Sequence, residues 1–312
     1  MLSFWRRALG SPVAQTTEAA RALAPMPIIV GTPRSGTTLL RFMLDAHPDL
    51  AIPPETGFLK LAPRLRGGGD DLREKFFRAV VNYPEQYPSW PDFGIPEAEF
   101  RAALAEISPF NVSEGFRAFY RLYAARHAKP RYGDKTPLYC MEIAAIRRIL
   151  PEARFVHIIR DGRDVALSLR RQWFSPGYEI ETQARYWRKT VTAARRAGRG
   201  RPDYFELRYE DLVLKTRETL GRVCEFLALE YDERMLDYYK GVPERLEEHK
   251  GRSGRDGAML MTDEQRRRQQ QRTTEPPDPA LVYAWRSRMS ADESARYARV
   301  AGGLLRELGY EA

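Results

Sequence analysis

The residues with the clearest chemical content lie in Gly31-Thr-Pro-Arg-Ser-Gly-Thr-Thr38, where two glycines five positions apart enclose an arginine and two threonines follow. That spacing, after an apolar run and before a helical pattern, is the frame of a phosphate loop whose backbone amides cradle anionic oxygens. The amides of residues 35–38 and the hydroxyls of Thr37 and Thr38 can line such a cradle around Gly36, because free N–H groups and the helix dipole both favour negative charge at a helix N-terminus. The lysine of a nucleoside triphosphatase is replaced by Thr37, and the basic residue is Arg34, inside the loop. A triphosphate enzyme needs that lysine and a magnesium ion at the γ-phosphate. The loop therefore reads as a site for an anion handled by arginine, hydroxyls and amides, with no metal; the competing reading is an ordinary tight strand-to-helix turn.

A second cluster, Arg160-Asp-Gly-Arg-Asp164, closes the apolar run Phe155-Val-His-Ile-Ile159. A magnesium-dependent phosphate-loop enzyme would end such a strand in a metal-holding aspartate. Arginine there binds an anion instead. Ser168 follows eight residues later, about two helical turns on. Taken alone, the cluster is equally a solvated, charge-rich turn.

Taken together and in this order, Arg34-Ser-Gly-Thr-Thr38 and Arg160…Ser168 resemble the two signatures of the sulfotransferase family, one for a 5′-phosphosulfate and one for a 3′-phosphate. The segment Arg208-Tyr-Glu-Asp-Leu-Val213 resembles a third landmark, so the likeness runs from about residue 27 to 230. Within the family, the run from Thr37 to Pro48, with Glu55-Thr56 and Gly133-Asp-Lys135, most resembles tyrosylprotein sulfotransferases and their bacterial relatives. The cysteine pairs and Golgi anchor of the animal enzymes are missing, so a protein-tyrosine substrate is not implied. The resemblance implies a co-substrate, 3′-phosphoadenosine 5′-phosphosulfate (PAPS), held without metal by Arg34, Ser35, Gly36, Thr37, Thr38, Arg160, Ser168 and Tyr209. A sulfuryl group would pass from it to a hydroxyl-bearing acceptor, whether small molecule, sugar, lipid or peptide.

In-line sulfuryl transfer asks the protein for a base, for cations at the leaving oxygen and for positioning. Glu55, beside Pro53-Pro54 at a strand end, is the candidate base, with a helix cap near Thr56 as the competing role. Lys135, which the resemblance makes catalytic, and Arg34 are the candidate charge stabilisers; Lys135 also reads as a surface lysine. None of the four histidines, His47, His127, His157 and His249, displaces Glu55. Tyr83, Tyr87, Trp90 and Phe93 either line an acceptor pocket or pin a proline-rich loop, and Arg266, Arg267 and Arg268 either guard an entrance or form a solvated face.

These residues need elements to hold them. Strands are expected at Met26–Val30, Leu50–Ile52, Phe155–Ile159 and Tyr204–Tyr209, alternating with helices that include 137–149 and 164–171. Ser290 and Glu293 form a capping box for a last helix ended by Gly309. The pattern predicts an α/β, P-loop-type three-layer fold with a central mainly parallel sheet and an active site at the strands' carboxyl ends. Residues 1–25 read as an N-terminal extension, with Leu2, Phe4, Trp5 and Leu9 as an alternative surface anchor. Residues 26–312 read as one domain, with 57–130 a mostly helical insertion and 240–280 a candidate lid.

Of 51 basic residues 43 are arginine and the net charge is +9, which favours anionic partners. The charges are scattered without a nucleic-acid signature, so a small anionic co-substrate is expected and nucleic acid is not. No apolar stretch is long enough to span a membrane, and Cys140 and Cys224, inside apolar-periodic segments, read as buried thiols of a cytoplasmic chain. A P-loop kinase and a non-catalytic nucleotide-binding module are the rival readings.

Overall fold

The computed structural model describes residues 24–254 and 257–311; the alternative of a surface anchor on Leu2, Phe4, Trp5 and Leu9 lies outside the described residues. The central sheet has the order β4-β1-β5-β6, formed by β4 (Asp134–Lys135), β1 (Met26–Val30), β5 (Ala153–Ile159) and β6 (Tyr204–Arg208). All its pairings are parallel. Side chains alternate across it: Ile28, Val30 and Phe155 enter one core, while Ile29, Val156 and Ile158 enter the other. A strand with both faces covered reads as a continuous apolar run, which is why β1 and β5 stand out in the sequence.

β4 does not stand out. It has two residues, both polar, and is fixed by the register Ile28↔Asp134 and Ile29↔Lys135. β2 (Leu50–Ala51) ends one residue earlier than its sequence predicts and pairs with β3 (Arg131–Tyr132) in a separate small sheet. The expected helix 137–149 is two pieces: a 3₁₀ stretch Pro137–Met141, then a helix Ile143–Ile149. Burial of Tyr139 and the tight bond from its amide to the Thr136 carbonyl, 3.0 Å, break the run.

Helix α1 (Thr37–Asp45) follows β1. The insertion contributes α2 (Gly69–Val81), α3 (Glu97–Ala105) and α4 (Val112–Arg126), and Ile143–Ile149 is α5. The insertion's core is aromatic, with Phe58 and Phe119 edge-to-face at 4.9 Å and Trp90 on Phe100 at 5.0 Å. Trp90 and Phe93 are thereby buried, so of the two readings of that loop packing describes them. After β5 come α6 (Gly162–Leu169) and α7 (Ile180–Gly198); after β6 come α8 (Tyr209–Leu214) and α9 (Thr216–Phe226). The remaining chain holds α10 (Val242–Leu246), the hairpin β7 (Arg252–Ser253) and β8 (Met259–Met261), α11 (Asp263–Gln270), α12 (Trp285–Arg288) and α13 (Ala291–Glu307). The Ser290–Glu293 capping box opens α13, and Gly309 ends it at φ 75°.

The carboxyl ends of the central strands converge. β1 delivers the phosphate loop and α1, β4 delivers Lys135, β5 delivers Arg160 and α6, and β6 delivers Tyr209, the crevice where open parallel sheets bind ligands.

Candidate active site

The loop between β1 and α1 is compressed by its neighbours. A Cβ on Gly31 would lie 2.6 Å from the Ile158 carbonyl oxygen. Gly36 adopts φ 98°, and a Cβ there would lie 2.4 Å from the Tyr209 ring. Arg34 also takes a left-handed φ, 75°, a conformation that costs a non-glycine residue energy and clusters at functional sites. One expectation needs correcting: the Ser35 amide donates to the Thr32 carbonyl at 3.1 Å and closes the turn instead of facing outward. The cradle is left to Gly36, Thr37 and Thr38, since the first amides of a helix have no intrahelical partner. Ser35 Oγ is buried and has no hydrogen-bond partner among the described residues.

The two loops meet. Arg34 Nε donates to Ser168 Oγ at 3.1 Å, across 134 residues of sequence. Burial pushes the Arg34 guanidinium below its ordinary range, and the charges of Arg160 and Arg272 push it further, while Glu55 opposes them. Arg160 is 12% exposed; its guanidinium lies 4.3 Å over the Tyr209 ring, donates to the Leu281 carbonyl at 2.7 Å and sits 3.6 Å from Asp164. Its Nε is buried without a partner among the described residues. Tyr209 thus packs between Gly36 of one loop and Arg160 of the other.

On the other flank, Lys135 Nζ donates to Glu55 Oε1 at 2.6 Å and lies 3.4 Å from Thr38 Oγ1. The lysine side chain is 5% exposed and the glutamate 52%, so the carboxylate is the member of the pair that an incoming molecule meets. Burial lowers the Lys135 ammonium below its ordinary range and the Arg41 charge adds to this, against Glu55 and Asp134. Glu55 does not cap the helical turn after it: Gly57 occupies that position, with no side-chain cap. Beneath the pair, buried Asp134 accepts from Thr56 Oγ1 at 2.6 Å and from Tyr120 OH at 2.8 Å.

The histidines separate as well. His47 bonds the Glu230 carbonyl, and His157 is buried against Tyr204 OH at 2.6 Å. His249 is buried and held neutral, down to about 2, by burial and by Arg41, Arg266, Lys135 and Arg252. It shares the Lys135 neighbourhood, which no local pattern in the sequence announces. Arg272, whose charge acts on Arg34, lies in the 240–280 segment, where no motif marks it. Arg266 is not a free lid residue. With Arg252 it grips the buried Asp92 of the insertion, at 2.7 and 2.6 Å, and fastens the C-terminal segment there. Arg267 and Arg268 pair with Glu247 and Glu264. Arg170 pairs with Glu293.

A family model described as the sulfotransferase family matches residues 25–233. The nodulation protein NoeE of Sinorhizobium fredii is 29% identical over 94% of this chain and 68% of its own length. A protein-tyrosine sulfotransferase of Drosophila melanogaster is 26% identical over 69% of this chain and 40% of its own. Among solved structures, the sulfotransferase domain from the olefin synthase of Synechococcus PCC 7002 superposes with a TM-score of 0.60 at 25% identity, covering 92% of this chain and 95% of that one.

Proposed function

Since the chain belongs to the sulfotransferase family, we propose that it transfers the sulfuryl group of PAPS to a hydroxyl of its acceptor, with Glu55, Lys135 and Arg34 as the reacting-centre residues. The observation that carries this reading is the position of Arg34: it bonds Ser168 and shares one electrostatic neighbourhood with Arg160, Arg272 and Glu55. This proximity of both anion loops and the candidate base supports a single ligand site.

The residues fit the donor. Ser35 Oγ and Arg160 Nε are buried polar atoms without partners among the described residues, a state that costs about 1–3 kcal/mol per group until a ligand supplies the bond. Gly36 leaves room only for the Tyr209 ring. Arg34 and the amides of Gly36 to Thr38, with the Thr37 and Thr38 hydroxyls, would hold the 5′ end; Arg160, Ser168 and Tyr209 would hold the 3′-phosphate. Bound there, the donor would supply an electrophilic sulfur and a phosphate leaving group.

The chain's residues supply the rest. Glu55, half-exposed, accepts the proton of the acceptor hydroxyl on a carboxylate oxygen. Lys135 and Arg34 offset the negative charge that grows on the departing side, a contribution of about 2.7–4 kcal/mol per preorganised donor in other enzymes. A reducing, cytoplasmic setting belongs to the same proposal and is supported by two buried, free thiols. The acceptor class is set by its hydroxyl.

The test is incubation of the protein with labelled PAPS and a library of phenolic, sugar, lipid and peptide hydroxyls, read by mass spectrometry for a sulfuryl adduct. Calorimetry against 3′-phosphoadenosine 5′-phosphate and ATP tests the donor half. An adduct, and binding of the bisphosphate in preference to ATP, are expected; equal binding of the two nucleotides removes Arg160 from its role.

A further inference from the structure

Asp134 is fully buried in β4, next to Lys135. Its Oδ2 accepts from Thr56 Oγ1 and Tyr120 OH. Tyr139 OH accepts from the Leu59 amide at 2.9 Å and lies 2.9 Å from Thr56 Oγ1, so it donates its own proton to Thr56. Thr136 Oγ1 in turn accepts from the Thr56 amide at 3.2 Å. The network thus binds the neighbours of both reacting residues: Thr56 follows Glu55, and Asp134 and Thr136 flank Lys135.

Hydrogen bonding explains only half of this arrangement. An asparagine would accept the same two hydroxyl bonds through its amide oxygen. What it would not bring is charge, and a buried carboxylate with no guanidinium or ammonium bonded to it is costly unless its charge is used. Oδ1 of Asp134 has no hydrogen-bond partner among the described residues. The group that uses the charge is Lys135, buried and facing the like charge of Arg41. Its direct partner, Glu55, becomes neutral at the moment it takes the acceptor's proton.

We propose that Asp134 is a positioning residue that fixes the Glu55 and Lys135 segments together, and the standing counter-charge that keeps Lys135 an ammonium while Glu55 is protonated. The proposal rests on the sulfotransferase reading for its catalytic meaning, but its electrostatic half is a property of the folded chain alone. The charges acting on Lys135 are Glu55 from the turn after β2, Arg41 from α1 and Asp134, which precedes it on the opposite face of β4; His249 of the C-terminal segment is neutral across the working range. Burial raises Asp134 to about 6, against the bonds from Thr56 and Tyr120, the nearby Thr136 hydroxyl and the charge of Lys135.

The chain has eight lysines, few enough for their side-chain carbons to be followed individually by NMR in the intact protein, with Lys135→Met assigning the signal. In Asp134→Asn the Lys135 titration is expected to move to lower pH, as the loss of a nearby opposite charge requires. Turnover should begin its alkaline decline at a lower pH than in the wild type, with binding of 3′-phosphoadenosine 5′-phosphate unchanged. Tyr120→Phe, which removes a bond and no charge, should leave the Lys135 titration in place. The wild-type protein gives a second reading that needs no variant to fold: the Lys135 signal should show a small step as Asp134 titrates near 6. An unmoved Lys135 titration in Asp134→Asn, or no step in the wild type, overturns the proposal. Absence of sulfuryl transfer by the wild type with these NMR results intact would instead overturn the sulfotransferase reading.

Discussion

Glu55 and Lys135 touch, yet their substitutions should fail in different ways. Glu55→Gln keeps the shape and removes the base, so turnover should drop about 10²–10⁴-fold while binding of 3′-phosphoadenosine 5′-phosphate stays as it was. Lys135→Ala should lose about 10²–10³-fold. The lysine also sets a pH limit. Burial and Arg41 lower its ammonium below the ordinary lysine value, so turnover should decline on the alkaline side before a solvated lysine would titrate. Lys135→Arg cannot lose its proton in that range; a pH profile of this variant should lack the decline, whatever its absolute rate. A decline identical in both proteins would show that Lys135 is not the titrating group.

The elements that hold these residues were legible in proportion to their burial. β1 and β5 are apolar because helices cover both faces, and the capping box of α13 is a local pattern with a local cause. β3 and β4 have two residues each, Arg131–Tyr132 and Asp134–Lys135, and only their pairing across more than a hundred residues or across the crossover makes them strands. Lys135 was therefore found through its motif, while Asp134, one residue earlier, had no signal: its partners Thr56 and Tyr120 are ordinary residues until the fold brings them together. His249 and Arg272 escaped for the same reason. Gly36 is the opposite case, where motif and geometry coincide. Its φ of 98° and the 2.4 Å approach of Tyr209 leave no space for a methyl group. Gly36→Ala should lose about 1–3 kcal/mol of stability and, by displacing Tyr209 from beneath Arg160, weaken 3′-phosphoadenosine 5′-phosphate binding more than a remote substitution of equal destabilisation. Chemical denaturation and calorimetry on the same preparation check both halves; intact affinity would separate Tyr209 from the nucleotide site.

At the scale of the molecule, the insertion, the phosphate-loop helix and the C-terminal segment are joined by one buried charge network. Arg245 of α10 bonds Asp45 of α1 at 2.8 and 3.0 Å, Tyr123 of α4 at 2.8 Å, and Glu248. Arg41 of α1 reaches Glu248 at 3.2 Å. Burial alone would raise both carboxyl groups, but Arg245, Lys129, Arg41 and the Ile52 amide hold Asp45 below its ordinary value, and His127, Arg41, Arg245 and Tyr123 do the same for Glu248. Carboxylates depressed in the folded state stabilise it above their unfolded values, and that stability is lost as pH falls through the folded ones. Wild-type stability should therefore drop on acidification below the ordinary carboxylate range, as Asp45 and Glu248 take up protons. Arg245→Met removes the partner and leaves both carboxylates buried, which should cost about 3–5 kcal/mol near neutral pH. The same acidification neutralises the stranded groups in the variant, so the gap between the two proteins should narrow as pH falls. Differential scanning calorimetry from neutral to acid pH measures it directly. Parallel curves would mean that Arg245 acts by packing alone, and that the three regions are not held around the cleft by charge.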